Sequence, residues 1–335
     1  MSSNRLLELL AEAEGYVSGE WLSEQLGISR TAVWKQINSL KRRGYTFEAS
    51  PRLGYRLVGR PNVMDIHRLQ SLLETRTFGR KLKYLDRVPT TQQTAHEWKQ
   101  EGAGEGALVL AEQQTAGRGR RGRSWHSPPG TGIWMSLILE PRIHVNRVPQ
   151  LTLLAAVALC RSLKQTTGLP VGIKWPNDLL IRGRKISGIL LESVAEDERL
   201  QYVVAGIGIN VNQEAEDFPE DLRNKAASLK MEAGRPLDRE QLLASFLKEW
   251  ESLYMHYLKN GFAIVRTLWE SYSVTLGCKV EVQTSEGLVS GKALQLDEQG
   301  GLRIDRGNGN VTTVYAGEVR FADGETRADG FGRQP

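Results

Sequence analysis

Residues Gly117 to Trp125 read Gly-Arg-Gly-Arg-Arg-Gly-Arg-Ser-Trp, so four arginines and three glycines fall within nine positions. Arginine presents a rigid fork of donors matched to carboxylate and phosphate, and glycine lets backbone approach a ligand closely. The run has the chemistry of an anion clamp, although the same residues also suit a solvated basic loop that binds nucleic acid without sequence preference. In Lys174-Trp-Pro-Asn-Asp178, Pro176 ends a strand and is predicted to expose Asn177 and Asp178 beside a lysine. Arg184-Lys-Ile-Ser-Gly-Ile-Leu-Leu-Glu192 sets Lys185 at the start of a buried strand. An edge strand with its turn and the flank of a hairpin are the plainer readings of these two segments. Together they offer cations, an amide and one carboxylate without a nucleophile or an obvious general base. That set suits phosphoryl or nucleotidyl transfer, where positioning and charge neutralisation carry most of the catalysis.

Several other chemistries are absent from the 335 residues. There is no Gly-x-Ser-x-Gly elbow and no Gly-x-x-x-x-Gly-Lys-Ser/Thr phosphate loop, and the five histidines show no ligand spacing. Gly206-Ile-Gly208 follows a strand-like Val-Val-Ala but lacks the third glycine of a dinucleotide fingerprint and leads into Asn210, so close backbone approach is expected there. Cys160 and Cys278 lie far apart, which points away from a disulfide framework or zinc site and towards a reducing cytoplasm. No apolar run approaches bilayer length and no signal-peptide core is read, so no membrane role is expected.

The elements that must position these residues alternate in kind. Strands are expected at 107–113, 132–139, 171–175, 185–192 and 201–211, with helices at 151–165 and 240–259. In the last, Leu242, Leu243, Phe246, Leu247, Trp250, Leu253 and Tyr257 form one apolar face. Residues 65–272 are thus predicted to form one mixed α/β domain of catalytic size. Short runs at 279–283, 287–294, 302–304 and 311–315, separated by Gly-rich turns, predict a small all-β domain over 274–322. Residues 323–335 read as a disordered tail.

The net charge of +5 is mild but uneven. Arg5 is the only base among the first 29 residues, whereas residues 30–60 carry eight bases against the single acid Glu48. A helix opens with Leu6, Leu7, Leu9 and Leu10, Ser18 caps a second, and Gly27 turns the chain into a third over Ser29–Arg43. Val33, Ile37 and Leu40 face a core, leaving Arg30, Thr31, Trp34, Lys35 and Asn38 for base edges and phosphates, with Trp34 also able to complete the core. A hairpin follows, with Arg52 at its tip. Residues 1–60 resemble a winged helix-turn-helix DNA-binding domain, and a small helical domain for protein contacts is the plainer reading.

Taken in order, Gly-Arg-Gly-Arg-Arg-Gly-Arg (117–123), Lys-Trp-Pro-Asn-Asp (174–178) and Arg-Lys-Ile-Ser-Gly-Ile-Leu (184–190) resemble biotin protein ligases. With the winged helix in front, the chain is similar to the bifunctional bacterial form, which also represses the biotin operon. The resemblance implies an α+β multidomain architecture: winged helix-turn-helix, a mixed α/β catalytic domain similar to class II aminoacyl-tRNA synthetases, and an SH3-like β-barrel. It implies that biotin and Mg-ATP give biotinyl-5′-adenylate, and that a lysine of the biotin carboxyl carrier protein of acetyl-CoA carboxylase then takes the biotinyl group. By motif, Lys185, Arg118 and Arg120 match catalytic positions. Thr90, Thr91, Gln92, Gln114 and Gly119 join those three as biotin contacts. Arg121, Arg123, Trp125, Lys174, Asn177, Asp178 and Asn210 match the nucleotide side, with Asp178 a candidate towards Mg2+ carried by ATP. Where many relatives have Asp-Ser-Thr-Asn, this chain has Pro89-Thr90-Thr91-Gln92, which keeps hydroxyls and an amide but loses the acid. Operator DNA and a ligand-promoted homodimer are further implied. The rivals are a repressor that only senses a ligand, and a lipoate ligase or related acyl transferase.

Overall fold

A computed structural model of the chain describes residues 2–13, 15–42, 44–59 and 63–322. The chain divides into two compact units, Met1–Leu72 and Leu73–Pro335. The expected tail at 323–335 and the end of the third helix at Arg43 lie outside the described residues.

In the first unit, helix α1 (Ser2–Glu12) buries Leu6, Leu7, Leu9 and Leu10. Helix α2 (Gly19–Leu26) starts at Ser18, whose Oγ accepts from the Trp21 N–H at 3.1 Å, and stops at Gly27 in the left-handed region (φ 63°). Helix α3 (Arg30–Arg42) turns Val33, Ile37 and Leu40 into the core. Strands β1 (Thr46–Ser50) and β2 (Gly54–Gly59) form an antiparallel hairpin. Gly54 has φ 100°, and a Cβ there would lie 2.0 Å from the Val17 carbonyl oxygen, so the close of the hairpin requires glycine. Val17, Tyr45 and Phe47 complete this core, and helix α4 (Ile66–Leu72) ends the unit.

The second unit carries β3 (Leu82–Val88), α5 (Thr91–Gln100), β4 (Leu108–Gln114), β5 (Gly132–Leu139), α6 (Val148–Thr167), β6 (Gly172–Lys174), β7 (Asp178–Ile181), β8 (Arg184–Glu196) and β9 (Arg199–Asn210), then α7 (Leu229–Ala233), α8 (Arg239–Asn260) and α9 (Ala263–Tyr272). Its strands pair in the order β3-β4-β5-β9-β8-β7-β6, parallel only between β3 and β4. Every residue of β5 is buried, as a strand covered on both faces requires. Helix α5 packs on β4, β5 and β9, while α6 packs on β6, β7 and β8 and against α8 and α9. Along β9, Tyr202, Val204, Gly206 and Gly208 share one face by strand alternation. That face meets α5 and carries the site.

Strands β10 (Lys279–Gln283), β11 (Leu288–Leu296), β12 (Leu302–Asp305), β13 (Val311–Val314) and β14 (Glu318–Phe321) form an antiparallel sheet in the order β13-β12-β11-β10-β14. The resemblance implied a barrel. Among the described residues β13 and β14, four residues each, are the two ends of an open sheet and do not pair with each other.

Candidate functional site

A cavity of about 500 Å³ opens over the β8–β9 face, within the range of small-molecule sites. Its floor is made by glycines. Gly188 and Gly208 are register partners, and a Cβ on Gly208 would lie 2.2 Å from Trp125 Nε1. A Cβ on Gly206 would lie 2.8 Å from Gln92 Cδ. The expected close approach at Gly206-Ile-Gly208 is therefore what these residues provide, and the objects approached are the side chains of Gln92 and Trp125.

The N-terminal turn of α5 forms one wall. Thr90 is its N-cap, with a hydroxyl accepting from the Gln92 N–H at 3.3 Å. Gln114 Oε1 accepts from the Thr91 N–H at 2.8 Å and from its hydroxyl at 3.1 Å, while Gln114 Nε2 donates to Ser127 Oγ at 2.9 Å. Gln92 Nε2 donates to the Leu190 carbonyl at 3.0 Å. Thr90, Thr91, Gln92 and Gln114 thus reach one pocket from α5 and β4, all except Gln114 almost fully buried.

The arginine run forms the other wall. Its ends meet in an Arg118–Ser124 bridge, and Arg121 and Gly122 take left-handed backbone at φ 57° and 73°. Arg118, Gly119, Arg120, Arg121, Arg123 and Trp125 all line the cavity. Arg120 Nη1 donates to Asn177 Oδ1 at 3.0 Å, and burial pulls its pKa below the ordinary arginine value. Asn177 was expected to stand exposed after Pro176. It is 8% exposed instead, because its Nδ2 donates to the Ile189 carbonyl at 2.8 Å and its carbonyl accepts from the Ile189 N–H at 3.1 Å. A buried amide must be satisfied, and β8 satisfies this one.

Lys185 projects between an acid and an aromatic face, with Nζ 2.6 Å from Asp178 Oδ1 and 5.2 Å from the Trp125 ring centroid. Lys174 sits deeper, its Nζ 5.5 Å from the Phe321 ring centroid, and burial lowers its pKa. Asn210 lies at the far end, where its Nδ2 donates to the Ala227 carbonyl at 3.1 Å and its Oδ1 accepts from Gln213 Nε2 at 3.4 Å.

Two contacts have no counterpart in the sequence reading. Arg121 Nη2 donates to the Gln283 carbonyl at 2.9 Å, and Arg123 pairs with Glu318. The pairing pushes the Arg123 pKa up and holds the Glu318 carboxyl below its ordinary value. Gly317, Glu318, Val319 and Phe321 line the cavity, so the small sheet closes one side of it. The separations of 162 and 195 residues leave no local signal for these pairs.

In the first unit Arg30, Thr31 and Lys35 are exposed on α3, Asn38 is half-buried, and Arg52 is exposed at the hairpin tip. Trp34 is 55% exposed and so belongs to the outer face rather than the core. Tyr16 and Arg56 both bond Glu48, at 2.7 and 2.6 Å, which braces the hairpin beneath Arg52.

A glycine-floored, cation-walled pocket on a mixed sheet, in a chain that also carries a separate helix-turn-helix unit, defines a ligase-type enzyme joined to a DNA-binding module. Residues 84–210 match the biotin/lipoate A/B protein ligase family and residues 3–56 match a helix-turn-helix domain. The bifunctional ligase/repressor BirA proteins of Bacillus spizizenii and Bacillus subtilis are each 44% identical to the chain over 317 residues, covering 94% of it and 97% of theirs. The solved biotin protein ligase of Aquifex aeolicus in complex with biotin and ATP superposes with a TM-score of 0.64 at 30% identity, over 72% of this chain and 99% of that one. The chain belongs to the family of bifunctional biotin ligase/repressors.

Proposed function

We propose that this chain is an ATP-dependent biotin protein ligase that forms biotinyl-5′-adenylate, transfers biotin to a lysine of a biotin carboxyl carrier protein, and represses biotin genes with the adenylate as corepressor. The observation that carries the enzyme reading is the gathering of Arg118, Arg120, Lys174 and Lys185 around one glycine-floored cavity. In the first step a biotin carboxylate oxygen attacks the α-phosphorus of ATP, forming a P–O bond as the bond to pyrophosphate breaks. Two anions meet there, so fixed cations lower the barrier by screening charge that is already present. Lys185 serves that role with Arg118 closing over the ligand from the pocket rim, while Arg120, held by Asn177, stays fixed in the wall. In the second step the acceptor ε-amine attacks the acyl carbon, AMP leaves with the bonding pair, and the amine proton passes to solvent. The mixed anhydride is reactive already, so the arginine loop has mainly to keep water out.

Thr90, Thr91, Gln92 and Gln114 are assigned to biotin, with Trp125 against the adenine and Arg121, Arg123, Lys174 and Asp178 on the phosphate side. Asn177 and Asn210 act through the walls they hold, since their amides are already bonded to protein. Mg2+ enters as part of Mg-ATP. Among the described residues no group of three or more His, Cys, Asp or Glu could hold a metal, and a single pocket carboxylate such as Asp178 fits an ion that keeps waters and phosphate oxygens as its main ligands. The small sheet is read as an SH3-like module. Among the described residues no helix is long and apolar enough to cross a membrane; a cytoplasmic location and a homodimer formed on adenylate binding belong to the same proposal.

The test is incubation with biotin, ATP labelled at the α-phosphate, and an acceptor carrier protein, with lipoate as competitor. Labelled biotinyl-adenylate and biotinylated acceptor are expected. Absence of both sinks the enzyme reading, and preferential use of lipoate turns it to the related acyl transfer.

A further inference from the structure

Helix α5 and its cap bring Thr90, Thr91 and Gln92 to the pocket. Ala95 packs with Ala103, Val109, Ile138 and Val204, and Trp98 of the same helix packs against this cluster, which holds the helix to the sheet. Polar ties along the helix add to this: Thr91 Oγ1 donates to Gln114 Oε1 at 3.1 Å and lies 2.8 Å from Ser136 Oγ, and Lys99 pairs with Glu140 at 2.6 Å. Gln92 Nε2 donates to the Leu190 carbonyl at 3.0 Å. One turn later His96 Nε2 lies 3.1 Å from Glu192 Oε2, and His96 Nδ1 lies 3.1 Å from the Tyr202 hydroxyl. Gln92 and His96 share a helix face at i, i+4, and Leu190 and Glu192 share a strand face at i, i+2. The imidazole therefore spans the seam between β8 and β9 on the sheet face that carries the glycine floor, one turn of α5 beyond Gln92.

We propose that His96 is a positioning residue that sets the roll of α5, and through it the placement of Gln92 and Thr91 for the bound acid. The substrate named here rests on the biotin reading above. Glu192 can only accept, so Nε2–H donates to it and Nδ1 of the neutral ring accepts from Tyr202. The charged and titratable groups facing the ring are Glu192 from β8, Tyr202 from β9, and Lys99 on α5 itself. Lys99 stands 5.8 Å from the Tyr202 ring centroid and pairs with Glu140 at 2.6 Å. The ring is thus flanked by an acid on one side and a neutral hydroxyl on the other.

The test compares the full-length protein with His96→Ala and His96→Gln. With His96→Ala at pH 8 the KM for biotin is expected to rise about tenfold, with kcat and the KM for ATP within about twofold, because only one wall of the pocket is loosened. His96→Gln, which keeps a donor and an acceptor, should hold the KM for biotin within about twofold of wild type. Biotin KM unchanged in His96→Ala, a parallel rise in both KM values, or a His96→Gln variant as impaired as His96→Ala overturns the proposal. A readout without substrate separates this from the biotin reading: backbone amides of Gln92 to Thr94 should exchange about tenfold faster in ligand-free His96→Ala. Unchanged exchange overturns the positioning role whatever acid the pocket takes, whereas wild-type protein inert towards biotin overturns only the substrate.

Discussion

Lys185 is bound to Asp178 at 2.6 Å and stands over the Trp125 ring, so its ammonium is held at a fixed point of the pocket wall without being consumed by it. A fixed cation that faces developing charge is worth about 10²–10³ in rate. Lys185→Met is therefore expected to slow biotinyl-adenylate formation by about that factor while the melting temperature changes little, as followed with α-labelled ATP under single turnover. Normal adenylate formation would remove Lys185 from the chemistry. Arg118 lies exposed on the pocket rim, and Arg118→Ala should leave adenylate formation within about tenfold but let the intermediate escape. Labelled adenylate recovered in solution during turnover measures this, and retention equal to wild type would argue against a clamp. Gly208 offers a steric test of the floor. A methyl group there would overlap the Trp125 indole, 2.2 Å away, and neither the strand backbone nor the flat ring can give by that much. Gly208→Ala should displace Trp125 and raise the KM for ATP more than the KM for biotin. Equal effects on both would place Trp125 elsewhere than against the adenine.

The arginine loop and the small sheet are joined as elements by Arg121 to the Gln283 carbonyl of β10 and by Arg123 to Glu318 of β14. Glu318→Gln keeps the size and removes the charge, so the loop, which holds four trypsin sites, should be cut severalfold faster with little change in melting temperature. Unchanged cleavage would mean that the pair does not restrain the loop. Its pH dependence has a definite sign. The folded Glu318 carboxyl lies below its ordinary value, so its contribution is complete above the unfolded value near pH 4.3 and is lost as pH falls through the depressed folded value. Exchange of the Gly119 amide, which donates to the Arg123 carbonyl at 2.7 Å, should stay constant from pH 8 to pH 5 after correction for intrinsic rates and accelerate only in stronger acid. The sequence made β5, α6 and α8 legible because their apolar periods are long and complete. It did not reveal α5: Thr-Gln-Gln-Thr-Ala-His-Glu-Trp-Lys-Gln has only Ala95 and Trp98 as apolar residues, and its helix is stabilised by the Thr90 cap and by tertiary ties. Edge strand β3, mostly half-exposed, lacked a clear alternation for the same reason. Of the site, the motif residues of β7, β8 and the arginine loop could be read from residue type, and Thr90, Thr91 and Gln92 only through resemblance. Glu318 and His96 are functional candidates through partners distant in sequence, and periodicity carries no sign of those.

At the scale of the whole molecule, two units with separate cores carry two activities, and separate cores let one be altered without the other. Lys35 on α3 and Arg52 at the hairpin tip, both exposed, are the cations proposed to meet phosphate in the first unit. Each phosphate contact releases condensed counterions and contributes about 0.9 to the slope of log K against log salt. Lys35→Ala and Arg52→Ala should each reduce that slope by about one and weaken binding at every sequence alike, since a phosphate contact positions without reading bases. Trp34, standing on the outer face, should act differently: Trp34→Ala is expected to narrow the gap between operator and random DNA while leaving the slope unchanged. Adenylate formation should stay at the wild-type rate in all three variants, because none of these residues lies in the unit that holds the pocket. Fluorescence anisotropy on labelled duplexes across a salt series gives slope and specificity together, with biotin alone, ATP alone and both added. Tightest binding with both ties DNA affinity to the adenylate. Loss of adenylate formation in the Lys35 or Arg52 variant would show instead that the two units do not act as separable modules.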